Sequence, residues 1–189
     1  MRFGTGIQTR STLPPRDHGG MDSPLTLSPR GIALIKSFED FSAVAYTCPA
    51  GLRTIGYGHV IRGSEPYLRT ATLSLAQAEA LLRADCGTVE VYLNAVLPDW
   101  IRPHHFDALG SFTFNCGIRA FDQSTLRAKL KTGDRLAAQA EFDKWVFANG
   151  KRLRGLSIRR ACERLMFAGC SDVAIERERA RLQSLRGPV

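Results

Sequence analysis

An α+β fold is predicted for this chain, with a small lobe carrying a β-hairpin sheet joined by a long helix to a larger all-helical lobe. Three observations predict it. Ala43–Thr47 and Leu52–His59 are extended runs flanking Cys48-Pro49-Ala50-Gly51, a turn in which proline fixes one φ and glycine accepts a positive one. From Ser74, an apolar stripe of Leu75, Ala78, Leu81, Leu82, Val89, Tyr92, Leu93 and Val96 keeps helical spacing over many turns. Beyond Pro98, one helix signal follows another.

In chain order, Met1–Leu27 is rich in Gly, Ser, Thr, Pro and Arg, and a mobile arm is expected there. Ser28 and Pro29 make a helix start, a hydroxyl N-cap followed by proline at the first helical position. Ile32, Ile35 and Phe38 give that helix one buried face. Glu39, four residues after Ile35, is predicted in its last turn, and a carboxyl beside apolar side chains suits a general acid working near neutral pH. On the returning strand, Thr54, Gly56 and Gly58 are predicted to face one side and Arg53, Ile55, Tyr57 and His59 the other. One hydroxyl and two absent side chains leave room for a bulky ligand to reach the backbone.

Arg62–Thr72 reads as a loop with a short strand near Leu68–Thr70. Ser74-x-x-Gln77 is a capping box that opens the long helix, and Pro98 ends it. Pro103 opens the next helix, with Phe106, Leu109, Phe112 and Phe114 as its core and Asn115 and Gly117 at its end. His104 and His105 are adjacent, so on a helix they point about 100° apart and do not grip a metal together. A solvated pair is expected. Ser124 starts a helix ending at Gly133, and Asp134 caps another reaching Val146 with Leu136, Ala140, Phe142 and Trp145 apolar. Asn149-Gly150 and Gly155 mark a loop, Ser157–Phe167 is a basic helix, and Ser171–Arg186 is a terminal helix packed by one side. The expected organisation is an arm at 1–27, a catalytic domain at 28–170, and a helix and tail at 171–189.

A length of 189 residues and a hydrophobic fraction of 44% suit one soluble domain with a proper core. No run has the length of a membrane-spanning helix, and no apolar signal-peptide stretch is seen at the N-terminus. The five cysteines, Cys48, Cys86, Cys116, Cys162 and Cys170, are odd in number and lack Cys-x-x-Cys spacing, which argues against a zinc site and a complete disulfide framework. Cys86, Cys116 and Cys162 read as small buried apolar residues. The net charge of +8 concentrates in Lys151–Phe167, where six basic residues stand against Glu163. Such a stripe near a cleft attracts an anionic polymer, and on charge alone nucleic acid fits as well as any. The arginines of this helix other than one at the site are expected on a solvated face.

Glu39, Cys48 and Thr54, at separations of nine and six positions, lead into Thr54-Ile55-Gly56-Tyr57-Gly58-His59. This pattern resembles the signature of the phage-type lysozymes, the endolysins of glycoside hydrolase family 24. The resemblance continues at Phe112–Gly117, at Ala120-Phe121 with Ser124-Thr125-Leu126, and at Gly155–Phe167. It implies a lysozyme-like fold and hydrolysis of the β-1,4 bond between N-acetylmuramic acid and N-acetylglucosamine in peptidoglycan glycan strands. It implies Glu39 as the acid that protonates the leaving oxygen and Thr54 as the residue that orients water. Cys48, where the family has aspartate or cysteine, is left as base, electrostatic stabiliser, polar space-filler or nucleophile, and the reaction as inverting or retaining. The stretch of Phe114 and Asn115 is implied to line the saccharide cleft, Ser124 to lie near it, Gly56 to let substrate approach, and Arg159 to reach Glu39.

No metal or other cofactor is implied. A monomer acting on glycan strands is expected, without nucleic acid and without stable membrane insertion. Some family members carry a signal-anchor segment, and its absence here implies accumulation in the bacterial host cytoplasm before release. Three alternatives stand beside this reading. They are a lytic transglycosylase using Glu39 alone, a peptidoglycan binder without turnover, and a nucleic-acid binder using Lys151–Arg164.

Overall fold

The computed structural model describes residues 23–48 and 51–185. Their elements are α1 (Pro29–Lys36), β1 (Ser42–Thr47), β2 (Arg53–Gly56), β3 (His59–Val60), α2 (Leu75–Val96), α3 (Pro103–Cys116), α4 (Ile118–Asp122), α5 (Thr125–Lys131), α6 (Arg135–Glu141), β4 (Phe147–Ala148), β5 (Lys151–Arg152), α7 (Arg154–Phe167) and α8 (Asp172–Ser184). The small lobe is the antiparallel sheet β1-β2-β3, and α2 carries the chain from it into the helical lobe.

α1 starts where cap chemistry dictates. Ser28 Oγ accepts the Gly31 N–H at 3.3 Å. Asp107 of α3 fixes the cap in turn, accepting from Ser28 Oγ at 2.6 Å and from the Ser28 N–H at 2.8 Å. Because Ile32 and Ile35 are buried, α1 packs on α3 although it opens the chain. The arm expected over 1–27 is fastened before its end. Leu25 donates to Asn94 Oδ1 at 2.9 Å and accepts from Asn94 Nδ2 at 2.8 Å, Leu27 donates to Glu90 Oε1 at 2.8 Å, and the Leu27 side chain is buried. Residues 1–22 lie outside the described residues.

The returning strand predicted over Leu52–His59 is two strands. β2 stops at Gly56 (φ +67°), and Gly58 (φ +87°) turns the chain into β3, so the predicted alternation fails beyond Gly56. Tyr46, Thr54 and Val60 are register partners across the three strands. Pro49 and Ala50 of the expected turn lie outside the described residues; at its flanks the Gly51 N–H donates to the Cys48 carbonyl at 2.8 Å and the Cys48 N–H to the Leu52 carbonyl at 2.9 Å. The strand expected near Leu68–Thr70 is instead a 3-10 turn, Pro66–Arg69, which buries Leu68. Its proline lacks the donor a ladder needs, and the strand-like contact falls at a bridge between Val44 and Thr72. His59 ties β3 to α2, its Nδ1 lying 2.8 Å from Asp85 Oδ2 while Nε2 lies 3.0 Å from Glu65 Oε2.

α2 has the capping box expected of Ser74 and Gln77, and Ala78, Leu82, Cys86, Val89 and Leu93 are buried along it. Burial pushes the Cys86 thiol up to about 12 and the Cys162 thiol up to about 11, so both behave as packing groups. α3 is the core of the helical lobe, with Phe106, Leu109 and Phe112 fully buried. The Phe112 ring meets Phe142 and Trp145 with centroids 5.4 and 5.2 Å apart. α6 is shorter than expected, tightening into a 3-10 turn at Phe142–Lys144, and Leu136 on it is exposed. Where a loop was expected, Asn149 (φ 51°) and Gly150 (φ 74°) turn a β4–β5 hairpin, the Asn-Gly geometry that matches the twist of paired strands.

His105 corrects the expectation of a solvated histidine pair. It is buried against Trp100 and Phe167, and its Nδ1 accepts the Arg102 N–H at 3.0 Å, completing the cap of α3. A nitrogen that accepts carries no proton, so the ring is neutral. Burial pushes its pKa down to about 4, helped by the charges of His104, Arg135 and Arg102. As pH falls, the unfolded chain takes up this proton before the folded one does. The His105 contribution to stability is therefore complete above about pH 6.5 and is lost as pH falls through about 4, a swing of about 3 kcal/mol at most. Glutamine at this position keeps an acceptor for the cap without titrating. His105→Gln is expected to lose several degrees less in Tm than the wild type between pH 7 and pH 4, and parallel melting curves in the two proteins would remove this account.

Candidate active site

The site is built where the end of α1 meets α7 and the hairpin sheet. α1 ends at Lys36, so Glu39 lies in the turn beyond the helix and not in its last turn, a correction to the expected position. In the turn the Phe38 N–H donates to the Ile35 carbonyl at 3.0 Å and the Glu39 N–H to the Lys36 carbonyl at 3.3 Å. The side chain is fixed from elsewhere. Glu39 Oε1 accepts from Arg159 Nη1 at 2.7 Å, with the carboxylate side chain 24% exposed and the guanidinium 4%.

Arg159 is held on its remaining sides. Its Nη2 donates to the Ser111 carbonyl at 3.3 Å and its Nε to Glu163 Oε1 at 3.2 Å. Glu163 is wholly buried and takes a second arginine, Arg160, whose Nη2 lies 3.2 Å from Oε1 and whose Nε lies 3.1 Å from Oε2. Ser111 Oγ also donates to Glu163 at 2.7 Å. Arg160 continues to Asn115 Oδ1 at 2.7 Å and Cys116 Sγ at 3.1 Å. Burial raises the Glu163 carboxyl from its usual value, while the two guanidinium groups and the Ser111 hydroxyl oppose that rise. One buried carboxylate thus organises two arginines, one directed at Glu39 and one at Asn115.

This arrangement corrects the expected solvated basic face. Arg159 and Arg160 are buried, Arg154 Nη2 donates to the Leu182 carbonyl at 2.8 Å, and Arg164 pairs with Asp143 at 3.3 Å. Of the six basic residues in Lys151–Phe167, Lys151 and Arg152 stand exposed on β5. Four of the six basic side chains are thus held by partners within the protein, two of them buried.

The other expected site residues divide. Cys48 and Thr54 belong to one hairpin, Cys48 half-buried just past β1 and Thr54 buried on β2 with its Oγ1 donating to the Leu52 carbonyl at 3.1 Å. Asn115 is exposed at the end of α3, its acceptor end turned to Arg160, and Phe114 beside it is half-buried. Two assignments are not supported by placement. Ser124 is buried, with its hydroxyl donating to the Phe121 carbonyl at 2.6 Å and accepting the Arg127 N–H at 3.0 Å, so it serves as the N-cap of α5. At Gly56 a side chain would meet Ala78 Cβ at 3.3 Å, so the clearance there serves packing against α2. The open position is Gly58, where an added Cβ would lie 3.9 Å from Glu39 Oε2.

Ser111, Arg160 and Glu163 are the residues that the sequence-based site lacked, whereas Gly58 was already on the strand face expected to be open to a ligand. The spacing of Arg159 and Arg160 to Glu163, four and three residues along one helix, was the available signal. For Ser111 no local signal exists. Among the described residues no group of three or more His, Cys, Asp or Glu side chains is arranged to hold a metal, and no helix is long and apolar enough to cross a membrane.

A small hairpin sheet, a linking helix and a carboxyl at the end of the first helix, set against a glycine turn and a buried arginine, define a lysozyme-like protein. The chain belongs to the phage lysozyme family, whose model matches residues 36–163. It is 41% identical over 145 residues to the endolysin of Acyrthosiphon pisum secondary endosymbiont phage 1, covering 75% of this chain and 97% of that one. It is 39% identical over 145 residues to the endolysin of Bacillus phage PZA, where the match covers 76% of this chain and 55% of the relative, so this chain spans about half of that protein. Among solved structures it is similar to the muramidase domain of SpmX from Asticaccaulis excentricus, with a TM-score of 0.68, 35% identity, and coverage of 76% of this chain and 97% of that one. The chain is a cell-wall hydrolase of the endolysin type.

Proposed function

We propose that this protein is an N-acetylmuramidase, cleaving the β-1,4 bond between N-acetylmuramic acid and N-acetylglucosamine in peptidoglycan glycan strands, with Glu39 as general acid. The observation that carries the reading is the Glu39–Arg159 pair at 2.7 Å, beside the opening at Gly58. Proton transfer from Glu39 to the leaving oxygen leaves a carboxylate. A buried guanidinium already aimed at that carboxylate compensates the charge as it forms, without reorganisation. A muramidase domain among the structural neighbours supports the choice of bond.

On the opposite side of the sugar, hydrolysis needs a group that directs water or attacks the anomeric carbon. Thr54 is assigned to orienting the water. Cys48, on the same hairpin, is assigned to that side as well, and Cys48→Ser separates its roles. A thiolate acting as base or nucleophile predicts a loss of about two orders of magnitude or more, whereas a polar space-filler predicts nearly full activity. Asn115, whose acceptor is occupied by Arg160, is assigned to donate from its amide to an N-acetyl carbonyl. The domain is assigned to residues 28–170, acting as a monomer. Accumulation in the host cytoplasm before the protein reaches the wall belongs to the same reading, and fractionation of expressing cells tests it.

The deciding experiment is mass spectrometry of fragments released from purified peptidoglycan. Fragments with muramic acid at a free reducing end are expected. Fragments with reducing-end glucosamine, or anhydro-muramic acid products, would reassign the protein to a glucosaminidase or a lytic transglycosylase, and release of no fragments would leave a wall-binding protein.

A further inference from the structure

α8 lies beyond the residues that the family model matches, and it reaches the turn that carries Glu39. A groove of about 320 Å³ lined by Ala33, Leu34, Ile175 and Glu176 separates the middles of α1 and α8. The two helices are joined at both ends of α1, in both places by an arginine. At one end Arg30 of α1 pairs with Asp172 and donates to the Cys170 carbonyl. At the other, Arg179 of α8 donates from Nη2 to the Ser37 carbonyl at 2.6 Å, and its Cζ lies 4.5 Å from the centroid of the Phe38 ring. Arg159, the partner of Glu39, lies 5.4 Å from that same centroid.

The carbonyls at a helix C-terminus have no intrahelical donors and carry the negative end of the helix dipole, so a permanently charged planar donor suits them. Here that donor grips the peptide between Ser37 and Phe38, directly before Glu39. Within the turn the Phe38 N–H donates to the Ile35 carbonyl at 3.0 Å and the Glu39 N–H to the Lys36 carbonyl at a longer 3.3 Å, while the Ser37 carbonyl is held by Arg179. Arg179 is mostly covered, with a side chain 15% exposed, and its Nη1 lies 3.7 Å from Glu176.

We propose that Arg179 is a positioning residue for Glu39, acting through the Ser37–Phe38 turn so that the C-terminal helix sets the aim of the general acid. The inference rests on the reading of Glu39 given above. Arg179 bonds the turn through the Ser37 carbonyl and the Phe38 ring, so its removal is expected to act on the chemical step. Arg179→Ala is expected to lower kcat on soluble glycan strands by about tenfold and to leave KM within about twofold. Guanidinium ion added at a concentration that leaves the wild type unaffected restores part of the lost rate, and Arg179→Lys, which keeps the charge but not the planar contact with Phe38, falls between. Arg177→Ala, an exposed arginine on the same helix, keeps the wild-type kcat.

A second readout is independent of turnover. In amide NMR spectra of the folded proteins, Arg179→Ala is expected to shift or broaden the Phe38 and Glu39 resonances, while Arg177→Ala leaves them in place. An unchanged kcat, a loss confined to KM, or a loss that guanidinium does not relieve would overturn the inference, as would undisturbed Phe38 and Glu39 amides. A wild type that releases no glycan fragments would instead overturn the reading of Glu39, and the amide spectra would still decide whether Arg179 holds the turn.

Discussion

In a Glu39→Gln variant, release of reducing ends from purified peptidoglycan is expected to fall by about two to four orders of magnitude with the fold intact. Glutamine has nearly the shape of glutamate, and its amide oxygen accepts from Arg159 as the carboxylate does, so the site keeps its geometry. What disappears is the transferable proton. The stability cost is small by comparison. The cluster holds two arginines, Arg159 and Arg160, against two carboxylates, Glu39 and Glu163, and neutralising Glu39 leaves one uncompensated charge. Because Glu39 is the more exposed carboxylate and Arg159 keeps Glu163, a loss of about 1 kcal/mol is expected, or a few degrees in Tm for a domain of this size. Activity and melting temperature measured on one preparation separate the two effects. A variant retaining a tenth or more of the wild-type rate would remove Glu39 from the role of acid.

The sequence revealed most where the chemistry is local. Helix starts at Ser28, Ser74, Ser124 and Ser171 were legible because an N-cap is made by a side chain and the backbone of its own turn. The hairpin was legible for a similar reason, since a short run carries the whole pattern. Departures arose where distant contacts decide. Burial of Arg160 depends on Glu163 and on Asn115 and Cys116 from α3, a set assembled only when α3 and α7 pack. Burial of His105 depends on Trp100 and Phe167, and the Asn115-to-Arg160 link crosses between two helices. Gly56 and Gly58 show the limit of strand periodicity, since positive φ at both ends the strand that the alternation assumed. The β4–β5 hairpin is different, because Asn149-Gly150 was itself a usable signal for a tight turn between paired strands.

Glu163 is the residue whose loss should cost the most stability. Replacing it by leucine leaves Arg160, with no exposed surface, and Arg159, nearly as buried, facing each other without their shared carboxylate. Removing one partner from a buried ion pair costs about 3–5 kcal/mol, because the remaining charge keeps its desolvation penalty and loses its attraction. Arg160→Met is expected to be costly as well, since Glu163 then has only Arg159 and Ser111. Combining the two removes a charge and its counter-charge together and leaves Arg159 paired with Glu39. The double variant should therefore be destabilised by much less than the sum of the single losses, with a coupling of about 2 kcal/mol or more in chemical denaturation. Additive losses would mean that the two side chains contribute by packing and not by pairing. The same double variant separates stability from function. It keeps the Arg159–Glu39 pair but frees Asn115 from the Arg160 guanidinium, so a folded double variant should bind glycan more weakly and lose less in kcat than in KM.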